Sequence, residues 1–261
     1  MKDYLGLSLR ELPYFRALLR AVEARFYEDF ELDSPTIDIG CGDGHFAGLA
    51  FDSPLDIGVD PWWGPIQEAG NRETYHSVVC ANSASLPFPS QYFKSGMSNS
   101  VLEHIPNIDQ VIEEIARVLQ PGSPFVFCVP NDRFLDNLSI SQFLDRIRLK
   151  RLGDAYRVFF NRISRISHSD RPEVWEARLR KYGFVVEQWW HYFSPEALHA
   201  LEWGHYFGIP SWVSKILFGG WILAPAAWNL FLTRKIVQQH YDQSPRSEEG
   251  VYSFYVTRRI G

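Results

Sequence analysis

Apolar positions along the chain follow two rhythms. In residues 9–30, Leu12, Phe15, Leu18, Leu19, Val22 and Phe26 recur at spacings of three and four, with Arg16, Arg20, Glu23 and Arg25 opposite. That period predicts one amphipathic helix. Ser34-Pro35 interrupts it, and the chain then turns to short apolar runs. Thr36–Ile39 reads as a buried strand, Leu55–Val59 and Tyr75–Cys80 as the second and third strands, and Phe93–Asn99 as a weaker fourth. A glycine turn and a short helix near Phe46–Phe51 follow the first strand. Over residues 109–119, Val111, Ile112, Ile115, Val118 and Leu119 share one helical face, which Pro121-Gly122 ends. Phe125–Val129 is the fifth strand. Strands that alternate with helices imply parallel βαβ units, so the pattern predicts a doubly wound, Rossmann-like α/β fold.

The alternation stops after residue 130 and returns twice. A helix over 172–182 and a strand at Phe184–Trp190 resume it, and Val251–Val256 closes it. The expectation is a mostly parallel seven-stranded sheet in a single domain, 1–261. Its parts are an N-terminal helix (9–30), a core (36–130, 172–202 and 246–261) and two helical insertions, a basic one at 131–171 and an apolar one at 203–245.

Charge and composition narrow the partners. Of 261 residues, 46% are hydrophobic and 22% charged, an ordinary globular balance, and the net charge is -5. A general nucleic-acid binder shows an overall basic balance, so no nucleic-acid partner is expected. The insertion 131–171 departs from the rest, with nine Lys/Arg against five Asp. Its cations interleave with Leu144, Ile147, Leu152, Tyr156, Phe159 and Phe160. That pattern suits either a solvated helix over the core or a surface for an anionic substrate or lipid headgroups. Residues 209–232 hold one charge, Lys215, and three tryptophans, Trp212, Trp221 and Trp228. Gly219-Gly220 and Pro225 interrupt the segment, and its uncharged run is shorter than the roughly 20 residues a bilayer span needs. Packing on the core, a dimer contact and a membrane surface all remain open for it, as does the oligomeric state. Cys41, Cys80 and Cys128 are odd in number and scattered, which is neither a disulfide framework nor a zinc site. With a charged N-terminus, they lead to an expected cytoplasmic location, either free or at the periphery of a membrane.

The chemistry concentrates after the first strand, in Asp38-Ile39-Gly40-Cys41-Gly42-Asp43-Gly44. Glycine serves where the backbone turns sharply and a ligand approaches with no Cβ in the way. Asp60, 20 residues after Gly40, ends the next strand, where a carboxylate can accept from both hydroxyls of a ribose. The dinucleotide fingerprint wants a third glycine at the sixth position, where His45 stands, and no Lys-Ser/Thr phosphate loop is present. The turn therefore suits a nucleoside ligand without a pyrophosphate.

These residues, together with Gly58-Val59-Asp60, Asn82–Pro89 (NSASLPFP), Ser100–Pro106 (SVLEHIP), Glu114–Gly122 (EIARVLQPG) and Val129-Pro130-Asn131, resemble the class I S-adenosylmethionine-dependent methyltransferases. The group that includes the ubiquinone-biosynthesis methyltransferases is the nearest match. The likeness covers roughly residues 36–131, then 172–190 and the last strand. It implies methyl transfer from S-adenosyl-L-methionine to a small-molecule or lipid-linked acceptor. By resemblance, Gly40, Cys41 and Gly42 lie under the amino-acid part of the cofactor, and Asp38 orients their loop. Asp60 holds the ribose, and Pro61 lies beside the adenine. Asn82 sits where an aspartate usually accepts from the adenine amino group, and its amide oxygen can still accept; Ser83 beside it is a further expected cofactor-binding residue. Asn99 and Ser100 line the methyl end.

Glu103 and His104 are the leading catalytic candidates, with His168 a third. Related families bind a divalent metal through E-x-x-E-H, but the first acid is Ser100 here, so no metal site is expected. His104 reads as a general base, a substrate positioner, or a histidine hydrogen-bonded at a helix start. His168, in the Ser167–Asp170 turn, reads as a substrate contact or a surface histidine. Two rival functions stand beside methyl transfer. One is a non-catalytic methyltransferase-like module, which Asn82 and Ser100 permit. The other is a nicotinamide-dependent oxidoreductase, which the glycine spacing disfavours.

Overall fold

A computed structural model describes residues 2–28, 30–207, 214–217, 221–222 and 226–261. Eleven of the 24 residues of the apolar segment 209–232, Trp212 included, lie outside them. In chain order the elements begin with helices α1 (Tyr4–Glu11) and α2 (Tyr14–Tyr27), then strand β1 (Thr36–Ile39) and helix α3 (His45–Ala50). Strand β2 (Leu55–Asp60), helix α4 (Trp63–Asn71) and strands β3 (Tyr75–Cys80) and β4 (Ser95–Asn99) follow. After a 3-10 turn (Leu102–His104) come α5 (Ile108–Val118), β5 (Pro124–Pro130), α6 (Ser139–Arg146) and α7 (Lys150–Ser164). The chain ends with α8 (Pro172–Lys181), β6 (Phe184–Tyr192), α9 (Pro195–Phe207), α10 (Ala227–Tyr241) and β7 (Tyr252–Arg259).

The seven strands make one sheet in the order β3-β2-β1-β4-β5-β7-β6. β1 through β5 pair in parallel, whereas β7 runs antiparallel to β5, with Phe127 opposite Tyr255. The sheet is thus mixed. The expected helix over 9–30 is two helices. Pro13 lacks the N–H an unbroken helix would need there, and it instead starts α2, its carbonyl accepting from the Ala17 N–H at 2.9 Å. Helix α5 buries Val111, Ile112, Ile115 and Val118 against the sheet, each worth about 1.5–3 kcal/mol of burial. On the same core, Phe127 stacks on Tyr255 at 4.8 Å and Trp175 of α8 lies 5.3 Å from Phe127.

Two compact units emerge. The α/β unit comprises residues 29–132, 165–190 and 252–261 and holds nearly all of the sheet. The helical unit comprises residues 1–28, 133–164 and 191–251. The boundaries differ from those expected. Residues 165–171 belong with the sheet, whereas α9 and residues 246–251 belong with the helices. Within the helical unit, buried polar groups bond across its elements. Glu202 of α9, fully buried, accepts from the Ser139 N–H and hydroxyl, each at 2.6 Å, and from the Tyr156 hydroxyl at 2.8 Å. Glu23 of α2 is also fully buried and accepts from Arg20 at 2.7 Å and the Tyr192 hydroxyl at 2.9 Å. No helix among the described residues is long and apolar enough to cross a membrane.

Candidate functional site

Strand order reverses between β1 and β4, and in open α/β sheets the crevice at such a point, beyond the carboxyl ends of the strands, is where ligands bind. Ile39, Asp60, Cys80 and Asn99 end four neighbouring parallel strands. Those ends and the loops that leave them carry every cofactor-binding residue expected from the sequence except Asp38, which lies within β1.

The glycine loop divides its work. Gly40 has φ +80°, and a Cβ there would stand 2.4 Å from the Val101 side chain, so this glycine allows close packing of the loop. Gly42, at φ +55°, has no protein atom within 4 Å of an added Cβ and therefore faces open space. Cys41 is buried, with its sulfur packed at Gly58, and burial pushes its thiol well up, so it stays a neutral apolar group. Only its backbone is turned to the loop's work.

Asp60 organises the loop from the neighbouring strand. Its carboxylate accepts from the Gly42 N–H at 3.1 Å and from the Trp62 N–H at 2.9 Å, one on each oxygen. A carboxylate offers about four acceptor positions, so two are left for hydroxyl donors. Burial raises its pKa, and the two N–H bonds oppose that rise. Asp38 is buried and accepts from the Tyr75 hydroxyl at 2.6 Å; burial, with the carboxylate beside it, holds that phenol well above its ordinary range. Tyr75 and the Trp62 N–H are partners that sequence reasoning missed. The one signal in the sequence was the phenol that opens β3; the Trp62 N–H is a backbone donor that any residue but proline would supply there.

Pro61 is exposed, and so is Asn82, while Ser83 is buried. The amide oxygen of Asn82 accepts from the Ala84 N–H at 2.9 Å, which shapes the turn that follows. Residues 86–90 are clamped from α5. Glu114 accepts from the Leu86 N–H at 2.7 Å, and Arg117 donates to the carbonyls of Leu86 at 3.0 Å and Phe88 at 2.8 Å. Glu114 and Arg117 hold each other at 2.7 Å, which lowers the Glu114 pKa and raises that of Arg117. The motifs over 82–89 and 114–122 are thus joined by a clamp that neither reveals alone.

Asn99 and Ser100 are buried at the end of β4. The Cys128 thiol donates to the Asn99 amide oxygen at 3.2 Å. Ser100 has φ +51°, a left-handed conformation that costs a side-chain-bearing residue about 1–3 kcal/mol and gathers at functional sites. The 3-10 turn follows directly. His104 Nδ1 lies 3.0 Å from the Arg165 carbonyl, so Nδ1 carries a proton, and in the neutral form of the ring the lone pair is on Nε2. That Nε2 is 3.8 Å from a carboxylate oxygen of the buried Glu103. The Glu103 carbonyl accepts from the N–H groups of Ser167 at 2.7 Å and His168 at 3.1 Å. His168 Nε2 donates to the Ile105 carbonyl at 3.1 Å, and its Nδ1 is 3.6 Å from Asp170. The three expected catalytic residues are therefore brought together. His168 acts in this arrangement as a clip, since its Nε2–H is already bonded to protein.

Residues 37–127 match the family model described as a methyltransferase domain. Among curated relatives, the chain is 27% identical over 157 residues to a biotin biosynthesis bifunctional protein of Saccharophagus degradans, covering 58% of this chain and 26% of that one. It is 31% identical over 121 residues to a sterol 4-C-methyltransferase of Caenorhabditis elegans, covering 41% and 35%. The chain thus spans about a quarter to a third of the length of these relatives. Among solved structures, an S-adenosylmethionine-dependent methyltransferase of Thermotoga maritima superposes with a TM-score of 0.55 at 14% identity, covering 95% of this chain and 91% of that one. The strand ends, the open glycine and the acid beside it thus lie within the residues that match the methyltransferase-domain model, in a fold shared with the Thermotoga maritima structure.

Proposed function

We propose that this chain transfers a methyl group from S-adenosyl-L-methionine to a small-molecule acceptor of lipophilic or anionic character. The observation that carries the reading is the Asp60 carboxylate, which holds the Gly42 and Trp62 N–H groups and keeps acceptor capacity beside the open face of Gly42. Within the class I methyltransferases, we assign the chain to the ubiquinone-biosynthesis-type group on its Ser100–Pro106 and Glu114–Gly122 motifs.

The residues fit the cofactor. Asp60 would accept from the two ribose hydroxyls, Gly42 would leave room for the amino-acid part, and Pro61 and Asn82 would flank the adenine. Asp38, fixed by Tyr75, would keep the loop in shape. When bound, the cofactor supplies an electrophilic methyl group on a positively charged sulfur. The protein's part is alignment and exclusion of water. Asn99 and Ser100 would line the methyl end. His104, with its proton held on Nδ1 by the Arg165 carbonyl, would take the acceptor's proton on Nε2, and Glu103 beside it would stabilise the imidazolium that results.

A second reading, a non-catalytic cofactor-binding module, draws on Asn82, whose amide oxygen already serves the Ala84 N–H. Incubation of cell extracts with methyl-labelled S-adenosylmethionine, followed by mass spectrometry, separates the two. Methyl transfer requires a labelled small molecule with wild-type protein and its loss with Asp60→Ala. Label that never leaves the cofactor, in a protein that binds S-adenosylhomocysteine, transfers the case to the second reading.

A further inference from the structure

The hairpin of α6 and α7 ends in seven consecutive exposed residues, Arg146-Ile147-Arg148-Leu149-Lys150-Arg151-Leu152. Four are cations and three are aliphatic, and no acid interrupts them. Ile147 is 47% exposed, Leu149 44% and Leu152 55%, with Phe143 of α6 58% exposed nearby in sequence. The hairpin presents this tip on a tight frame. Gly153 lies so near α6 that a Cβ on it would stand 2.5 Å from an Asp145 carboxylate oxygen. The Leu149 N–H closes the end of α6 on the Leu144 carbonyl at 2.8 Å.

The acids that could neutralise the tip are held elsewhere. Asp136, Asp145 and Asp154 all pair with one residue, Arg157, at 3.6, 2.5 and 2.9 Å. Arg146, Arg148, Lys150 and Arg151 form no ion pair among the described residues. A protein of net charge -5 thus keeps four uncompensated cations within six residues.

We infer that this tip docks the protein on a bilayer surface that carries anionic headgroups. The cations meet lipid phosphates and carboxylates, while Ile147, Leu149 and Leu152 enter the boundary between headgroups and acyl chains. The aliphatic residues decide between partners. A nucleic-acid backbone rewards cations and stacking rings but offers nothing to isoleucine and leucine, whereas the bilayer boundary buries them. This surface is distinct from methyl transfer and is read without the cofactor.

Flotation of the full chain with two kinds of vesicle tests it: phosphatidylcholine alone, and phosphatidylcholine with roughly one-third phosphatidylserine. The expected result at low salt is flotation with the anionic vesicles only, lost as ionic strength rises. The variant Arg146→Ser/Arg148→Ser/Lys150→Ser/Arg151→Ser should bind several hundredfold more weakly, since each cation near an anionic leaflet is worth about fivefold. Leu149→Ser/Leu152→Ser, with every charge kept, should weaken binding by at least about tenfold. Unchanged circular dichroism and S-adenosylhomocysteine affinity show that both variants are folded. Wild-type protein that stays unbound, or a charge variant that floats like wild type, overturns the inference. So does a Trp228→Ser/Leu232→Ser variant on α10 that alone abolishes flotation, or retention on single-stranded DNA with no response to vesicles.

Discussion

Both units bury carboxylates, and they use them in opposite ways. In the helical unit, Glu202 receives the N–H groups of Ser139 and Ile140 and the hydroxyls of Ser139 and Tyr156. Four donors fill a carboxylate, so this acid ties α6 and α7 to α9 and has nothing left for a ligand. In the α/β unit, Asp60 receives two N–H groups at the end of β2 and borders a glycine that faces open space. The donors that the protein supplies match the acceptor capacity of Glu202, whereas that of Asp60 exceeds them. The surfaces differ as well. Most large apolar side chains left in solvent belong to the helical unit, among them Phe143, Leu152, Trp228, Phe231 and Leu232.

The largest effect that probes this contrast is expected at the joint. Glu202→Ala leaves two N–H and two O–H donors without their acceptor, a loss of about 3–5 kcal/mol if part of them reach water. Thermal or urea unfolding would register it, while S-adenosylhomocysteine affinity should stay within about twofold by calorimetry. A stability change below about 1 kcal/mol would show that Glu202 is no joint. Next in size is His104→Ala. Its turnover should fall by about 10²-fold, the lower end for loss of a general base, because the half-exposed ring leaves room for water to substitute. Cofactor affinity should hold, and near-wild-type turnover would reduce His104 to a link between the 3-10 turn and Arg165. The smallest effect concerns pH. Burial raises the Asp60 pKa, so its carboxylate takes up a proton at a higher pH than an ordinary aspartate. In the folded protein the ionised form, which accepts from ribose, is complete only above that raised value. Cofactor affinity should therefore weaken as the pH falls through it. The stability sign is opposite: the fold holds this proton more tightly than the unfolded chain does, so Asp60's contribution favours the fold at low pH and is lost as pH rises. Calorimetry across the acid range checks the first half, and urea unfolding of ligand-free protein the second.

The sheet was legible because its first strands alternate with turns and helices, although β4 (SGMSN) is nearly all small and polar, and because α5 keeps its 3.6 period for three turns. The split of the N-terminal helix at Pro13 was written in the residue itself, yet the apolar period runs on through it from Leu12 to Phe15 and hides the break. The direction of β7 was not legible, since antiparallel pairing with β5 depends on a long return path and not on local pattern. Around the site, the glycines and Asp60 could be read because backbone geometry demands particular residue types there. Tyr75, Glu114 and Arg117 could not, because their roles arise from partners 28 to 37 residues away. The helical unit was read as two separate insertions because the bonds across its elements come from Glu202 and Glu23, single polar residues in helices that otherwise look ordinary.

Two glycines provide the most direct test of the central claim. Gly42 and Gly122 both have positive φ, +55° and +85°, and an added Cβ meets no protein atom within 4 Å at either. Alanine at each should cost a similar amount of stability, about 1–2 kcal/mol for the left-handed backbone. Only at Gly42 would the new methyl group enter the space assigned to the cofactor. Calorimetric titration with S-adenosylhomocysteine should show wild-type and Gly122→Ala proteins binding alike and Gly42→Ala binding at least about tenfold more weakly. Equal affinity in all three folded proteins would contradict the account, because the open face of Gly42 would then hold no ligand.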